Sequence, residues 1–140
     1  MSKKDLATHV VDKMYFNDPF SLWLGIQRLE DGAGRSVLRM TVRKEMTNGF
    51  GIAHGGITYS LADSALAFAS NSHGRMAVSV ETSISHTAPV REGDVLTAYA
   101  EEEHLSNKIG NYRIVVKNQD DKVVALFNGI VYRTSKNWEP

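Results

Sequence analysis

A single carboxylate, Asp63, lies within Ile57 to Ala69, the most apolar stretch of the chain and otherwise uncharged. An unpaired carboxylate is costly to bury, so this one must face a cavity, an interface or a dedicated partner, or lie on a solvent-facing stripe with Ser60 and Ser64. Facing a ligand, it can serve as a nucleophile or as a general base. The same segment is preceded by Ala53-His54-Gly55-Gly56. With no side chains at Gly55 and Gly56, a ligand can approach backbone N–H groups that open a helix, and those donors act with the helix dipole as an oxyanion site. The glycines can equally serve close passage of the chain past a strand, and His54 a structural hydrogen bond. Gly55 and Asp63 stand eight residues apart, which is about 12 Å along a helix at 1.5 Å per residue, too far to converge on one bond within one chain. Across a two-fold axis they can converge, which would give two equivalent sites per dimer.

The elements that must carry these groups follow from periodicity. Leu6, Val10, Val11 and Met14 recur at helical spacing, predicting a helix over about 4–16 that ends at Asn17-Asp18-Pro19. A short turn of helix can follow from Pro19. Strands are expected over 26–30 and 35–42, joined by Asp31-Gly32-Ala33-Gly34, and then an irregular loop over 44–54. A long helix follows over about 55–73, small or apolar nearly all round and therefore enclosed. Strands over 77–90, 95–104, 110–118 and 122–133 complete the chain as an antiparallel meander, with turn residues between them. Strands segregated from helices indicate an α+β class, in which a curved antiparallel sheet of five to six strands wraps one helix. One domain over 1–140 is expected, because smaller pieces could not bury a core.

Composition narrows the function classes. Sixteen basic and sixteen acidic residues cancel, so no global field favours nucleic acid or an anionic membrane. The chain has no cysteine, which removes thiolate nucleophiles and disulfides and fits a cytoplasmic protein. His9, His54, His73, His86 and His104 show no ligand spacing, so no metal and no cofactor is expected. No apolar signal core or membrane span is visible in the sequence.

Asn48-Gly49-Phe50-Gly51-Ile52-Ala53-His54-Gly55-Gly56, followed by Leu61-Ala62-Asp63, resembles the hotdog-fold acyl-CoA thioesterases of the phenylacetate-degradation type. The likeness runs from about Phe20 to Arg133, supported by Val78-Ser79-Val80-Glu81, His86-Thr87-Ala88-Pro89 and Gly93-Asp94. It implies hydrolysis of an aromatic or medium-chain acyl-CoA, with Asp63 as nucleophile or general base and the Gly55 N–H polarising the thioester carbonyl. It further implies that Asn48 orients the reacting groups, that His54 holds the loop or touches the ligand, and that Ser79 holds a water. Gly56, Phe50 and Tyr59 would contact the substrate, with the acyl group between subunits near Phe50, Tyr59 and Leu61. Arg91, Lys108 and Arg133 are candidates for the coenzyme A phosphates. A homodimer would be the catalytic unit, commonly paired into a homotetramer. The histidine expected of a hotdog dehydratase is absent; the alternative reading is a catalytically silent acyl-CoA-binding module.

Overall fold

The computed structural model describes residues 1–139. Helix α1 (Lys3–Tyr15) starts at a capping box, in which the Ser2 hydroxyl accepts from the Asp5 N–H and the Asp5 carboxylate reaches back to the Ser2 N–H. It buries Val10 and Val11 of the predicted stripe together with Ala7, while Leu6 and Met14 are half-buried. Helix α2 (Pro19–Leu24) has Asp18 as its cap and Pro19 in its first turn, and it stops at Gly25 in the left-handed region at φ 74°.

Six strands form one antiparallel sheet: β1 (Gln27–Gly32), β2 (Arg35–Thr41), β3 (Arg75–His86), β4 (Val95–Leu105), β5 (Ile109–Lys117) and β6 (Val123–Asn137). Their spatial order is β1-β2-β4-β5-β6-β3, so the last four strands do not form the meander expected from their succession: β2 occupies the free side of β4, and β3 pairs with β6 instead. The sheet wraps α3 (Gly55–Asn71), the central helix. This is the α+β hotdog architecture that the motif resemblance implies. Strand limits differ from the periodicity reading by a few residues, because pairing rather than composition sets where a ladder stops. β6 runs four residues beyond Arg133 by pairing with the start of β3. β3 ends at His86, and Val90 instead accepts from the Ala53 N–H at 2.7 Å. The first hairpin turns on Ala33-Gly34 alone, Asp31 and Gly32 being paired within β1.

The core lies between α3 and the inner face of the sheet. Leu38, Met40, Leu96, Ala98, Ile114, Val116 and Phe127 meet Leu61, Ala62, Ala65, Phe68 and Ala69, all of them buried. Gly129 in β6 allows the helix its close approach: a Cβ there would stand 2.5 Å from Leu66 Cδ2. α1 lies against β1 and α3. It is tied there by the Tyr15 hydroxyl donating to Ile26 O at 2.5 Å and by Arg28 bridging Asp12 and Asp31. The other edge, β3, pairs only with β6, and Val78, Ser79, Val80 and Glu81 in its centre are all exposed.

Candidate active site

Asp63 sits in the middle of α3, flanked by the buried pairs Leu61–Ala62 and Ala65–Leu66. Ser64 beside it is held by Ser21 of α2, hydroxyl to hydroxyl at 2.8 Å. The Asp63 side chain is half-buried, and burial alone pushes its carboxyl above the usual carboxylate range, with no hydrogen bond or neighbouring cation offsetting it. It borders a cavity of about 380 Å³ whose walls are mainly apolar, with Leu66, Ala67, Val78, Ser79 and Val131 among them. The carboxylate therefore faces a cavity rather than lying on a fully solvated stripe. Ser79, exposed on β3, shares that cavity with it.

The start of α3 is fixed from three directions. The loop before it closes on itself: Asn48 N–H donates to Ile52 O at 2.8 Å, Thr47 bridges Ala53, and Gly51 takes φ 77°. Ala53 N–H donates to Val90 O at 2.7 Å, and His54 N–H to Met46 O at 2.8 Å. His54 then caps the helix, its Nδ1 accepting from the Gly56 N–H at 2.9 Å. Of the two glycine donors, that of Gly56 is thus engaged internally, while the Gly55 N–H has no acceptor among the described residues. The His86 ring covers Gly55 so closely that a Cβ there would lie 3.2 Å from Nε2. The sequence singled out His86 as part of a motif but not as the residue packed on the donor glycine; the contact arises only when the end of β3 returns to the helix start.

Asp63 and Gly56 open onto different spaces. A second cavity, of about 370 Å³, is lined by Trp23, His54, Gly56 and Ser60, and it shares no lining residue with the Asp63 cavity. One protomer therefore does not bring Gly55 and Asp63 to one bond, as the helix rise requires.

The remaining candidates are dispersed. Asn48 Oδ1 accepts from the Phe50 N–H at 2.9 Å, so that oxygen shapes the loop. Phe50 is 90% exposed at the loop tip. Tyr59 is partly buried, its hydroxyl 2.5 Å from Thr82 Oγ1 and its ring edge-on to Phe127. Neither Phe50, Tyr59 nor Leu61 lines the Asp63 cavity. Arg91 lies in the turn after β3, its N–H donating to Asp94.

Lys108 and Arg133 meet at the opposite end of the sheet, where Arg133 donates through its backbone N–H to Lys108 O and through Nη1 to Ser106 O, each at 2.7 Å. Arg75 joins them, Nη1 donating to Asn107 Oδ1 at 3.2 Å. None of these three cations has an acidic partner among the described residues. Arg75 was not among the sequence candidates, because it is separated from Lys108 by 33 positions and only the β3–β6–β5 ladder joins them. No cluster of metal-ligating side chains occurs among the described residues, and no helix among them is long and apolar enough to cross a membrane.

Comparison with known proteins bears on what this arrangement does. The thioesterase superfamily model matches residues 50–125, which include Gly55, Gly56 and Asp63 but begin after Asn48. A putative esterase of Archaeoglobus fulgidus is 41% identical over 99% of this chain and 90% of its own. The acyl-coenzyme A thioesterase PaaI of Escherichia coli is 42% identical over 86% of each chain. The solved structure of the E. coli PaaI protein from the phenylacetic acid degradation operon superposes with a TM-score of 0.96, covering 99% of this chain and 100% of that one.

Proposed function

Because the chain belongs to the thioesterase superfamily, we propose that it hydrolyses acyl-coenzyme A thioesters to a free acid and coenzyme A, at sites shared between two protomers. The observation that carries this reading is the half-buried, unpartnered Asp63 carboxylate at the edge of an apolar cavity. A group so placed is costly to the fold and suited to attack on a bound acyl carbon. In the water route, the Asp63 carboxylate takes a proton from water as the water oxygen bonds to the thioester carbonyl carbon. The carbonyl electrons move onto oxygen, where the Gly55 N–H stabilises the charge. Collapse breaks the C–S bond, and the thiolate of coenzyme A leaves and takes up the proton held by Asp63, which restores the carboxylate. In the nucleophilic route, the carboxylate itself bonds to that carbon, expels the thiolate and forms an anhydride that water then opens. Asn48 and Ser79 serve orientation and water binding in either route, and His54 holds the donor turn.

The two-chain arrangement has its own support. β3 is an edge strand with both faces exposed at its centre, where Val78 and Val80 are 56% and 61% exposed. An uncovered apolar edge of this kind invites a second strand. Antiparallel pairing of two β3 strands about a two-fold axis lays the His86 end of one protomer beside the Arg75 end of the other. Gly55, under His86, would then neighbour the Arg75–Lys108–Arg133 cluster of the second chain, which suits the phosphates of coenzyme A. Gly56, Phe50 and Arg91 border the same end. The cavity volume, near the lower limit of about 300–1,000 Å³ usual for small-molecule sites, favours a compact acyl group such as an aromatic or medium-chain one.

Complementation tests the shared site. Gly55→Pro removes the donor N–H, and the backbone accepts it, since proline is tolerated at a first helical position and His54 already holds the extended conformation that precedes proline, at φ −62° and ψ 135°; its ring requires the His86 imidazole, 3.2 Å from a Cβ there, to give way slightly. Gly55→Pro and Asp63→Asn should each be inactive. Co-refolded in equal amounts, they should recover about a quarter of wild-type turnover, because half the dimers are mixed and each of those holds one intact site. No recovery in mixed dimers of verified composition would refute a site shared between chains. Saturable acyl-CoA binding by the wild type without release of free thiol would instead favour the silent binding module.

A further inference from the structure

The Asp63 cavity has a far wall built from the two ends of the chain. Met14 comes from α1, Met76 from the start of β3, and Trp138 from just beyond β6. On the other side of the same three side chains lies an outer groove of about 900 Å³, which also takes in Lys13, Asn17 and Pro19. Met14, Met76 and Trp138 border both spaces and so form the partition between them.

The indole is held in place rather than merely packed. Trp138 Nε1 donates to Asn71 Oδ1 at 2.9 Å, and its backbone N–H donates to Gly74 O at 2.7 Å. Asn71 is itself buried at the last turn of α3 and uses its whole amide: Nδ2 donates to Ala67 O and Ala77 O, and Oδ1 also accepts from the Ala77 N–H. It lies eight residues past Asp63 on α3, about 12 Å along the axis. The Lys13 ammonium contacts the Glu139 carbonyl oxygen, fastening the tail to α1 next to the wall. The two flanking thioethers are unbranched and adaptable, while the indole is rigid and anchored.

We propose that Trp138, set by Asn71 and flanked by Met14 and Met76, is the end stop that limits the length of acyl group accepted beside Asp63. This rests on the thioesterase reading above. An acyl chain entering past Asp63 runs along Leu66, Ala67 and Val131 and meets the indole. Longer chains are excluded at that wall, although an open groove with room for them lies immediately behind it. Removing the indole joins the two spaces and gives the chain an exit to the outer groove.

The test is a kcat/KM series on straight-chain acyl-CoAs of increasing length for the wild type, Trp138→Ala and Trp138→Phe. Trp138→Ala should raise the ratio of long-chain to short-chain kcat/KM by about tenfold or more, the scale at which apolar pockets discriminate by a methylene or two. Most of that change should appear in KM. Trp138→Phe, which keeps an aromatic wall, should stay near the wild-type profile. Met14→Ala thins the same wall from α1 and should shift the profile the same way, which keeps the proposal testable if Trp138→Ala fails to fold. An unchanged length profile in folded Trp138→Ala, or in folded Met14→Ala where that variant stands in, overturns the end stop while leaving Asp63-dependent hydrolysis intact. Wild-type protein that releases no coenzyme A from any chain length overturns the thioesterase reading and the end stop with it.

Discussion

At Asp63 the demands of stability and of the proposed chemistry oppose one another. Burial raises the carboxyl pKa in the folded protein, so between the unfolded and folded pKa values the folded state binds more protons. Stability must then fall as pH rises through that window. Asp63→Asn removes the cost, so the variant should melt a few degrees above the wild type at neutral pH. The gap should close as pH drops below the ordinary aspartate value, about 4, where both side chains are neutral. Turnover has the opposite sign, because attack needs the ionised group: kcat/KM should climb with pH through the raised pKa, and Asp63→Asn should lose roughly a thousandfold. Calorimetry and a pH-rate profile on the same two proteins check both. A variant that is both less stable and fully active would remove Asp63 from the site.

The central helix positions that carboxylate through its contact with β6. Leu66, one turn on from Asp63, presses on Gly129, leaving no space for a methyl group between helix and strand. Gly129→Ala must push the helix outward or force Leu66 off its rotamer, at a cost of about 1–3 kcal/mol. The expected result is a lowered denaturant midpoint with an unchanged slope. It should come with reduced kcat, since Asp63 moves with Leu66. Gly129→Ala at wild-type stability would show that the helix is free to shift. The other end of α3 is held by hydrogen bonds rather than by close packing. His54 Nδ1 takes the Gly56 N–H, and the neighbouring backbone bonds to Val90 and Met46 fix the turn. That arrangement engages the Gly56 N–H and leaves the Gly55 N–H without an acceptor among the described residues, a selection that the Gly-Gly pair in the sequence does not reveal.

For the whole molecule the open question is the β3 edge. α1 packs against β1 at one side of the sheet, whereas Val78 and Val80 stand exposed at the other. Val80→Asp puts a charge where a second copy of the strand would pack. It should yield a folded monomer by sedimentation and lower turnover by roughly a hundredfold or more, because the donor and the carboxylate no longer meet. A fully active monomer would mean that one chain suffices. The same edge accounts for the gap between the basic cluster and the glycine donors: they occupy opposite ends of one protomer and come together only if a second chain runs antiparallel.

Local pattern alone determined a good deal. The stripe Leu6, Val10, Val11 and Met14, the turn at Asn17-Asp18-Pro19, the enclosed helix from Gly55 and the succession of strands along the chain are all short-range signals, carried by periodicity and by residues with restricted backbones, whereas the pairing of β3 with β6 rather than β4 is not. The separation of Gly55 from Asp63 was likewise legible, because helical rise is a constant. Tertiary structure decided everything that joins distant positions. It selected Gly55 over Gly56 as the free donor, brought His86 onto that glycine, gathered Arg75 with Lys108 and Arg133, and closed the Asp63 cavity with Met14, Met76 and Trp138. None of these has a period or a spacing to be read. Each depends on which strand pairs with which, and on the two ends of the chain packing against the same helix, which is settled only by burial of the core as a whole.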